Sequence, residues 1–357
     1  MLNCACFIVD MNFFPPALAL ALRAVEATTP DVQVHVFVEG AGAENATIDP
    51  AASARTNGRL RIHHNGLSAR IPKTFPATKF LPEVIYARLF APGHLRCDRL
   101  LYLDADVLIE DRLDELFALD MHGRTIAAVH DAGMVTKSAP TAPAKAALFA
   151  PSASYFNSGV LLIDAARWAE RDVAGEAIAF FAKFGAVASL PDQDFLNFVF
   201  RDDWTPLSPR WNFQGGPLAA GLCDAINPAI IHFTGGLKAW HSEARREYPP
   251  LAAAFCAMMA DAGLPSEWRP ARGRTSYVPA FHKLRMRVRA RLYGLGIVPR
   301  KAHTRLAEWR QFRERYVAFL NQGVETGLFA DRFAPGPLSA QAVPSFDGRT
   351  FRVRLPA

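Results

Sequence analysis

What the chain lacks narrows it first. Its five cysteines, Cys4, Cys6, Cys97, Cys223 and Cys256, are odd in number, scattered and without a C-x-x-C pair. That implies neither a disulfide framework nor a zinc-thiolate cluster, and it suits reduced, mostly buried residues of a cytoplasmic protein. No basic segment precedes an apolar run at the amino terminus, so no secretory signal is expected. No uninterrupted apolar run reaches the length of about eighteen residues that a membrane span needs. Disorder throughout is excluded as well: 50% of the 357 residues are hydrophobic, enough for a large core in one big domain or two smaller ones. Acidic residues are scarce in one place only. Residues 268–318 hold 12 Arg and 2 Lys against Glu308 and Glu314, whereas the whole chain carries a net charge of only +6. The remainder is therefore net acidic, and the basic character belongs to a carboxy-terminal module.

What is present begins with the stretch LLYLDADVLIE, residues 100–110. It reads as one buried strand interrupted by Asp104 and Asp106. Side chains two apart in an extended segment face the same way, so both carboxylates point to one side at a strand end. Charges placed there must reach solvent or meet a cation, and a hard divalent ion would serve. A chain with this many aspartates contains about one D-x-D by chance, so the tripeptide alone is weak. The competing reading is a strand end running into a helix, with Asp111 placed to cap residues 112–119.

The rest of the chain alternates strands and helices. CACFIVD at 4–10 is a short apolar run closed by Asp10. ALALALRAVE has helical spacing and VQVHVFVE at 32–39 alternates as a strand, which makes a βαβ unit and predicts a parallel sheet. LRIHH at 60–64 is a further strand, and a helix bends or starts near Pro82. RTIAAVHD at 124–131 is another apolar run closed by a carboxylate. Residues 132–154 lack periodicity and read as a lid or binding loop. YFNSGVLLIDAARW reads as a turn at Asn157, Ser158 and Gly159, then a strand, then a helix from Asp164. LPDQDFLNFVFRD puts Asp192, Gln193 and Asp194 in the first turn of a helix, where the dipole favours carboxylates. NPAIIHFTGGLKAWH at 227–241 is a strand ending at His232, followed by a Gly pair, Lys238 and Trp240. Polar groups thus recur where apolar strands end, and in an open α/β sheet the ligand crevice lies at the carboxyl ends of the strands.

Four motifs in order, YARLFAPGHLRCDRLLYLDADVLIEDRLDELF, YFNSGVLLID, LPDQDFLN and HFTGGLKAWH, resemble the retaining glycosyltransferases of family 8, a group that includes bacterial lipopolysaccharide galactosyl- and glucosyltransferases and glycogenin. The resemblance covers roughly residues 3–241. It implies an α/β fold of the GT-A type, a Rossmann-like, mostly parallel sheet flanked by helices, and transfer of a hexose, galactose or glucose, from a UDP-sugar. By the same resemblance Asp104, Asp106 and His232 are the metal ligands. Two carboxylates and an imidazole suit manganese, with magnesium the alternative, and the metal would stabilise the UDP leaving group. Lys238 and Gly235 match positions at the diphosphate. Asp10, Asn12 and Phe13 match the uridine site, with Phe13 stacking on uracil, and Ala105 lies within the D-x-D. Arg88, Asn157, Asp192 and Gln193 match residues around the donor sugar.

Retention by double displacement needs a carboxylate nucleophile. The matching position holds Gln193, a poor nucleophile, so a front-face mechanism is favoured, with Asp194 the rival nucleophile. Ala239 stands where the family often has proline. The divisions expected are a GT-A domain at 1–265, a basic amphipathic helical module at 266–325 and a tail at 326–357. HKLRMRVRARLYGLG at 282–296 interleaves basic and apolar residues, as a segment lying on an anionic membrane surface does. The partners expected are a UDP-hexose donor, a glycan or glycolipid acceptor such as lipopolysaccharide, and the cytoplasmic face of a membrane through 268–318, with no nucleic acid. The alternatives are a glycogenin-like self-glucosylating enzyme and a catalytically silent UDP-sugar-binding protein.

Overall fold

A computed structural model of the chain describes residues 2–76, 82–136, 148–149, 154–235, 238–241, 244–270, 300–333, 335 and 338. The basic run at 282–296 and, within the expected loop at 132–154, residues 137–147 and 150–153 lie outside them.

The α/β expectation holds. Strands β1 (Asn3–Val9), β2 (Val32–Val38), β3 (Leu60–His64), β4 (Arg99–Leu103), β6 (Ile126–His130), β7 (Phe156–Asp164) and β8 (Trp204–Leu207) form one sheet in the order β3-β2-β1-β4-β7-β6-β8. Four of its pairings are parallel, and the two that involve β7 are antiparallel. Every residue of β1 is buried, as a central parallel strand covered on both faces requires. The helix Phe14–Glu26 covers one face, with Pro15 and Pro16 in its first turn, where a missing N–H costs nothing. A three-stranded sheet pairs β5 (Val107–Ile109) with β10 (Ile230–His232) and β10 with β9 (Phe213–Gln214).

Three readings of the sequence change. LLYLDADVLIE is two strands, not one: β4 belongs to the large sheet and β5 to the small one. The Asp104-Ala105-Asp106 segment is the crossing between them. Asp111 does not cap the next helix, which spans Asp114–Phe117 after Leu113; it pairs with Arg210 at 2.5 Å. Asn157, Ser158 and Gly159 are not a turn but the beginning of β7. The helix expected to bend or start near Pro82 does start there, with tight 3₁₀ winding over Glu83–Leu89.

The helix Arg300–Glu325 packs on the core through buried Arg313, Tyr316, Val317 and Leu320. Its Arg315 Nη1 donates to the carbonyl of Thr136 at 2.9 Å. The chain beyond it covers β8, an edge strand: Ala330 N donates to Pro206 O, and Asp331 accepts from Ser208 N, Ser208 Oγ and Trp211 Nε1. Among the described residues no helix is long and apolar enough to cross a membrane.

Candidate active site

The polar residues meet because of strand direction. β1, β4 and β6 end at one edge of the large sheet, and β7, running the other way, begins there. β10 is antiparallel to β5, with His232 opposite Val107, so the ring arrives beside Asp106. Backbone bonds fix the crossing: Asp104 N donates to Gly159 O at 2.8 Å and Phe233 N to Asp106 O at 3.0 Å.

Asp104, Asp106 and His232 each offer an atom within 4.8 Å of the others. His232 Nε2 lies 3.2 Å from Asp106 Oδ1 and 3.7 Å from Asp104 Oδ2, and Lys238 Nζ lies 2.6 Å from Asp106 Oδ2. Gly159 makes the approach possible, because a Cβ there would sit 2.1 Å from His232 Cε1 and 2.8 Å from Asp104 Oδ2.

Arg88 joins this cluster to a third carboxylate, with Nη2 3.0 Å from Asp104 Oδ1 and Nη1 3.2 Å from Asp192 Oδ2. Its guanidinium lies over the Tyr102 ring at 4.5 Å, and the Tyr102 hydroxyl donates to Asp104 Oδ1 at 2.6 Å. One oxygen of Asp104 is thus taken twice, and the other is turned toward His232. Burial by itself would raise the Asp106 carboxyl, but Lys238 and His232 override it and hold the group well below the usual carboxylate range. Asp192 moves the other way, raised by burial despite Arg88. Burial opposes the charge on Arg88, yet Asp104 and its neighbours keep the guanidinium more firmly protonated than usual. Three carboxylates face two fixed cations here. A divalent ion would supply the missing charge, and a donor set of two carboxylates and one imidazole fits one.

The helix Pro191–Val199 brings its first turn to the same edge. Gln193 Oε1 accepts from Ser158 N at 3.0 Å and Asn157 Nδ2 at 3.2 Å, while its Nε2 donates to the Tyr155 hydroxyl at 3.2 Å and Asp131 Oδ2 at 3.4 Å. Asp194 is fully buried and turned inward. Its Oδ1 accepts from the Tyr155 hydroxyl at 2.6 Å, and its Oδ2 from Ser189 N and Leu190 N at 2.9 and 3.0 Å.

The remaining nominated residues sit around this centre. Asp10 closes β1, the neighbour of β4, and its carboxylate accepts from Phe13 N at 3.1 Å. Asn12 and Phe13 follow it and are half-buried, as is Ala105 between the two aspartates. Phe13 packs edge-on against Trp240 and Trp268 with centroids 5.7 and 5.9 Å apart. Gly235 is exposed, with a φ of +85° that favours glycine.

Sequence reasoning did not nominate Tyr102, Asp131, Tyr155, Ser158, Gly159 or Asn212. Asp131 carried a visible signal, since it closes the apolar run of β6 as Asp10 closes β1. Asn212 carried none. It is fully buried, its Nδ2 donates to Asn157 Oδ1 at 2.9 Å, and its Oδ1 lies 2.9 Å from His232 Nδ1.

Known proteins share this architecture. The general stress protein A of Bacillus subtilis (strain 168) is 30% identical over 47% of this chain, which spans 63% of that protein, less than two thirds of its length. The lipopolysaccharide 1,2-glucosyltransferase of Escherichia coli (strain K12) is 25% identical over 65% of the chain and 71% of its own length. In three dimensions the chain is similar to the galactosyltransferase LgtC, crystallised in complex with donor and acceptor sugar analogs, at a TM-score of 0.59 and 26% identity, covering 74% of this chain and 99% of that one. The pattern described as glycosyl transferase family 8 matches residues 4–244. With more than half of its length matched, and with a mostly parallel sheet whose polar residues gather at one edge, the chain belongs to glycosyl transferase family 8.

Proposed function

We propose that this protein is a metal-dependent, retaining hexosyltransferase that moves galactose or glucose from a UDP-sugar to a glycan or glycolipid acceptor. The observation that carries the reading is the meeting of Asp104 and Asp106, on the crossing between the two sheets, with His232 of β10, within 4.8 Å of one another. These three would hold a manganese or magnesium ion, which as a Lewis acid supplies charge stabilisation for a departing diphosphate. Lys238 brings a further positive charge to Asp106 and suits the same diphosphate. Asp10, Asn12 and Phe13 are assigned to the uridine, with the Asp10 carboxylate accepting the uracil N3 proton. Arg88, Asp192 and Asn157 are assigned to the donor sugar, and Gly235 lets backbone approach the phosphates.

For the route of transfer, the inward position of Asp194 favours the front-face reading. A carboxylate that accepts three hydrogen bonds within the protein is poorly placed to attack an anomeric carbon. Gln193 then stands beside the reacting centre as a polar amide held by Ser158, Asn157, Tyr155 and Asp131.

The basic stretch at 268–318 is assigned to an anionic membrane surface. Exchanging Arg285, Arg287, Arg289 and Arg291 for glutamate should release the protein from anionic vesicles, and unchanged co-sedimentation sinks that assignment. The catalytic reading is tested by incubating the purified chain with UDP-galactose and UDP-glucose, with and without Mn²⁺. Slow metal-dependent release of UDP, abolished in Asp106→Ala, is expected. No release with any UDP-hexose, or release unaffected by the substitution, refutes it.

A further inference from the structure

Building on the metal-dependent reading above, we propose that Asn212 is a positioning residue. It sets which nitrogen of His232 faces the carboxylates, and it ties that ring to Gln193 through one buried chain of side-chain amides.

The orientation of an amide or imidazole is normally ambiguous, but here two backbone donors remove the ambiguity. Asn157 Oδ1 accepts the backbone N–H of Gly159 at 3.1 Å, and a main-chain nitrogen can only donate. That atom of Asn157 is therefore the oxygen. The group of Asn212 facing it at 2.9 Å must be the NH₂, and the oxygen of Asn212 must then face His232. An oxygen 2.9 Å from Nδ1 requires a proton on Nδ1. Nε2 is left as the nitrogen directed at Asp106 and Asp104, the one that can present a lone pair to a cation.

The same logic runs the other way. The NH₂ of Asn157 donates to Gln193 Oε1, and that oxygen also accepts the backbone N–H of Ser158. The Gln193 NH₂ is consequently turned to Asp131 and the Tyr155 hydroxyl. The path His232–Asn212–Asn157–Gln193–Asp131 is continuous, and its polarity is set by two successive N–H groups at the start of β7. Asn212 is fully buried and Asn157 nearly so, leaving little room for solvent to replace either.

Two substitutions separate the arms. Asn212→Asp keeps an oxygen for Nδ1–H but opposes an oxygen to Asn157 Oδ1, so it preserves the His232 arm and breaks the Gln193 arm. Asn212→Leu breaks both. Three quantities are read: Mn²⁺ affinity without nucleotide by electron paramagnetic resonance, the imidazole ¹⁵N shifts of His232 at mildly alkaline pH, and kcat and KM with UDP-galactose and UDP-glucose. The unmutated protein should carry its proton on Nδ1. Asn212→Leu should bind Mn²⁺ roughly tenfold to a hundredfold more weakly. Asn212→Asp should bind it within about threefold of the unmutated protein while kcat falls about tenfold or more at little-changed KM. Nε2–H as the neutral form of the unmutated protein, full Mn²⁺ affinity in Asn212→Leu, or full kcat in Asn212→Asp overturns the proposal. If Asn212→Leu does not fold, the tautomer and Asn212→Asp still decide. Absence of Mn²⁺ binding in the unmutated protein would sink the metal reading instead, while the metal-free tautomer would still test Asn212.

Discussion

Gly159 is where a single methyl group should do the most damage for its size. A Cβ built there lies 2.1 Å from His232 Cε1 and 2.8 Å from both His232 Nδ1 and Asp104 Oδ2. Carbon atoms rest about 3.5–4.0 Å apart, so the ring would have to retreat by more than about 1 Å. It has little room to do so: His232 is 4% exposed, bonded at Nδ1 to Asn212 and faced at Nε2 by Asp106. A retreat of that size takes the 2.9 Å contact with Asn212 beyond the usual hydrogen-bond range of about 3.2 Å. Overpacking costs about 1–3 kcal/mol and the lost bond about 1 kcal/mol, so Gly159→Ala should lower stability by about 2–4 kcal/mol. Its Mn²⁺ affinity should fall roughly tenfold to a hundredfold, because the imidazole leaves the carboxylates. Urea unfolding and Mn²⁺ titration by electron paramagnetic resonance measure the two effects. Gly93→Ala is the control, since a Cβ there meets nothing closer than 4.0 Å and should change stability by less than about 0.5 kcal/mol. A Gly159→Ala protein with the unfolding midpoint and Mn²⁺ affinity of its parent would refute the reasoning.

Three further outcomes follow from the same geometry. Mass spectrometry of the unmutated enzyme during turnover should find no hexose on Asp194, whose oxygens are held by Tyr155, Ser189 and Leu190; a trapped adduct there would overturn the front-face route. Asp331→Ala leaves buried Ser208 and Trp211 without their acceptor, and urea unfolding should show a loss of about 2–4 kcal/mol. A loss below about 0.5 kcal/mol would mean the carboxy-terminal segment is not anchored there. His130, packed against Trp204 and Phe319, is lowered from 6.5 to about 4 by burial. The fold favours the neutral ring, so this contribution is whole above pH 6.5 and is lost as pH falls toward 4, while the unfolded chain takes up the proton first. The term amounts to about 3 kcal/mol, and His130→Gln should flatten the stability profile across that window. An unchanged slope in urea melts at several pH values would count against it.

Much of this protein is legible without coordinates, because burial leaves a local trace. A strand covered on both faces is a run of apolar residues, and the residue that ends it at a crevice is polar. Asp10, Asp104, Asp131 and His232 can all be read that way, and the βαβ start follows from periodicities of two and three to four in adjacent segments. What leaves no local trace is the direction and partner of a strand. The pattern of FNSGVLLID is the same whether β7 runs with its neighbours or against them, yet only the antiparallel choice puts Asn157, Ser158 and Gly159 beside the ends of β4 and β6. Likewise LLYLDADVLIE does not reveal that its halves enter different sheets, which is what lets β10 deliver His232 to Asp106. Asn212, in an unremarkable WNFQ, gains its role only when folding brings it against residues 20 and 55 positions away. The sequence alone therefore determined which side chains are dear to bury and where strands end. The tertiary structure decided which of them meet, because pairing is a contact between distant segments and each segment's pattern reports only its own exposure.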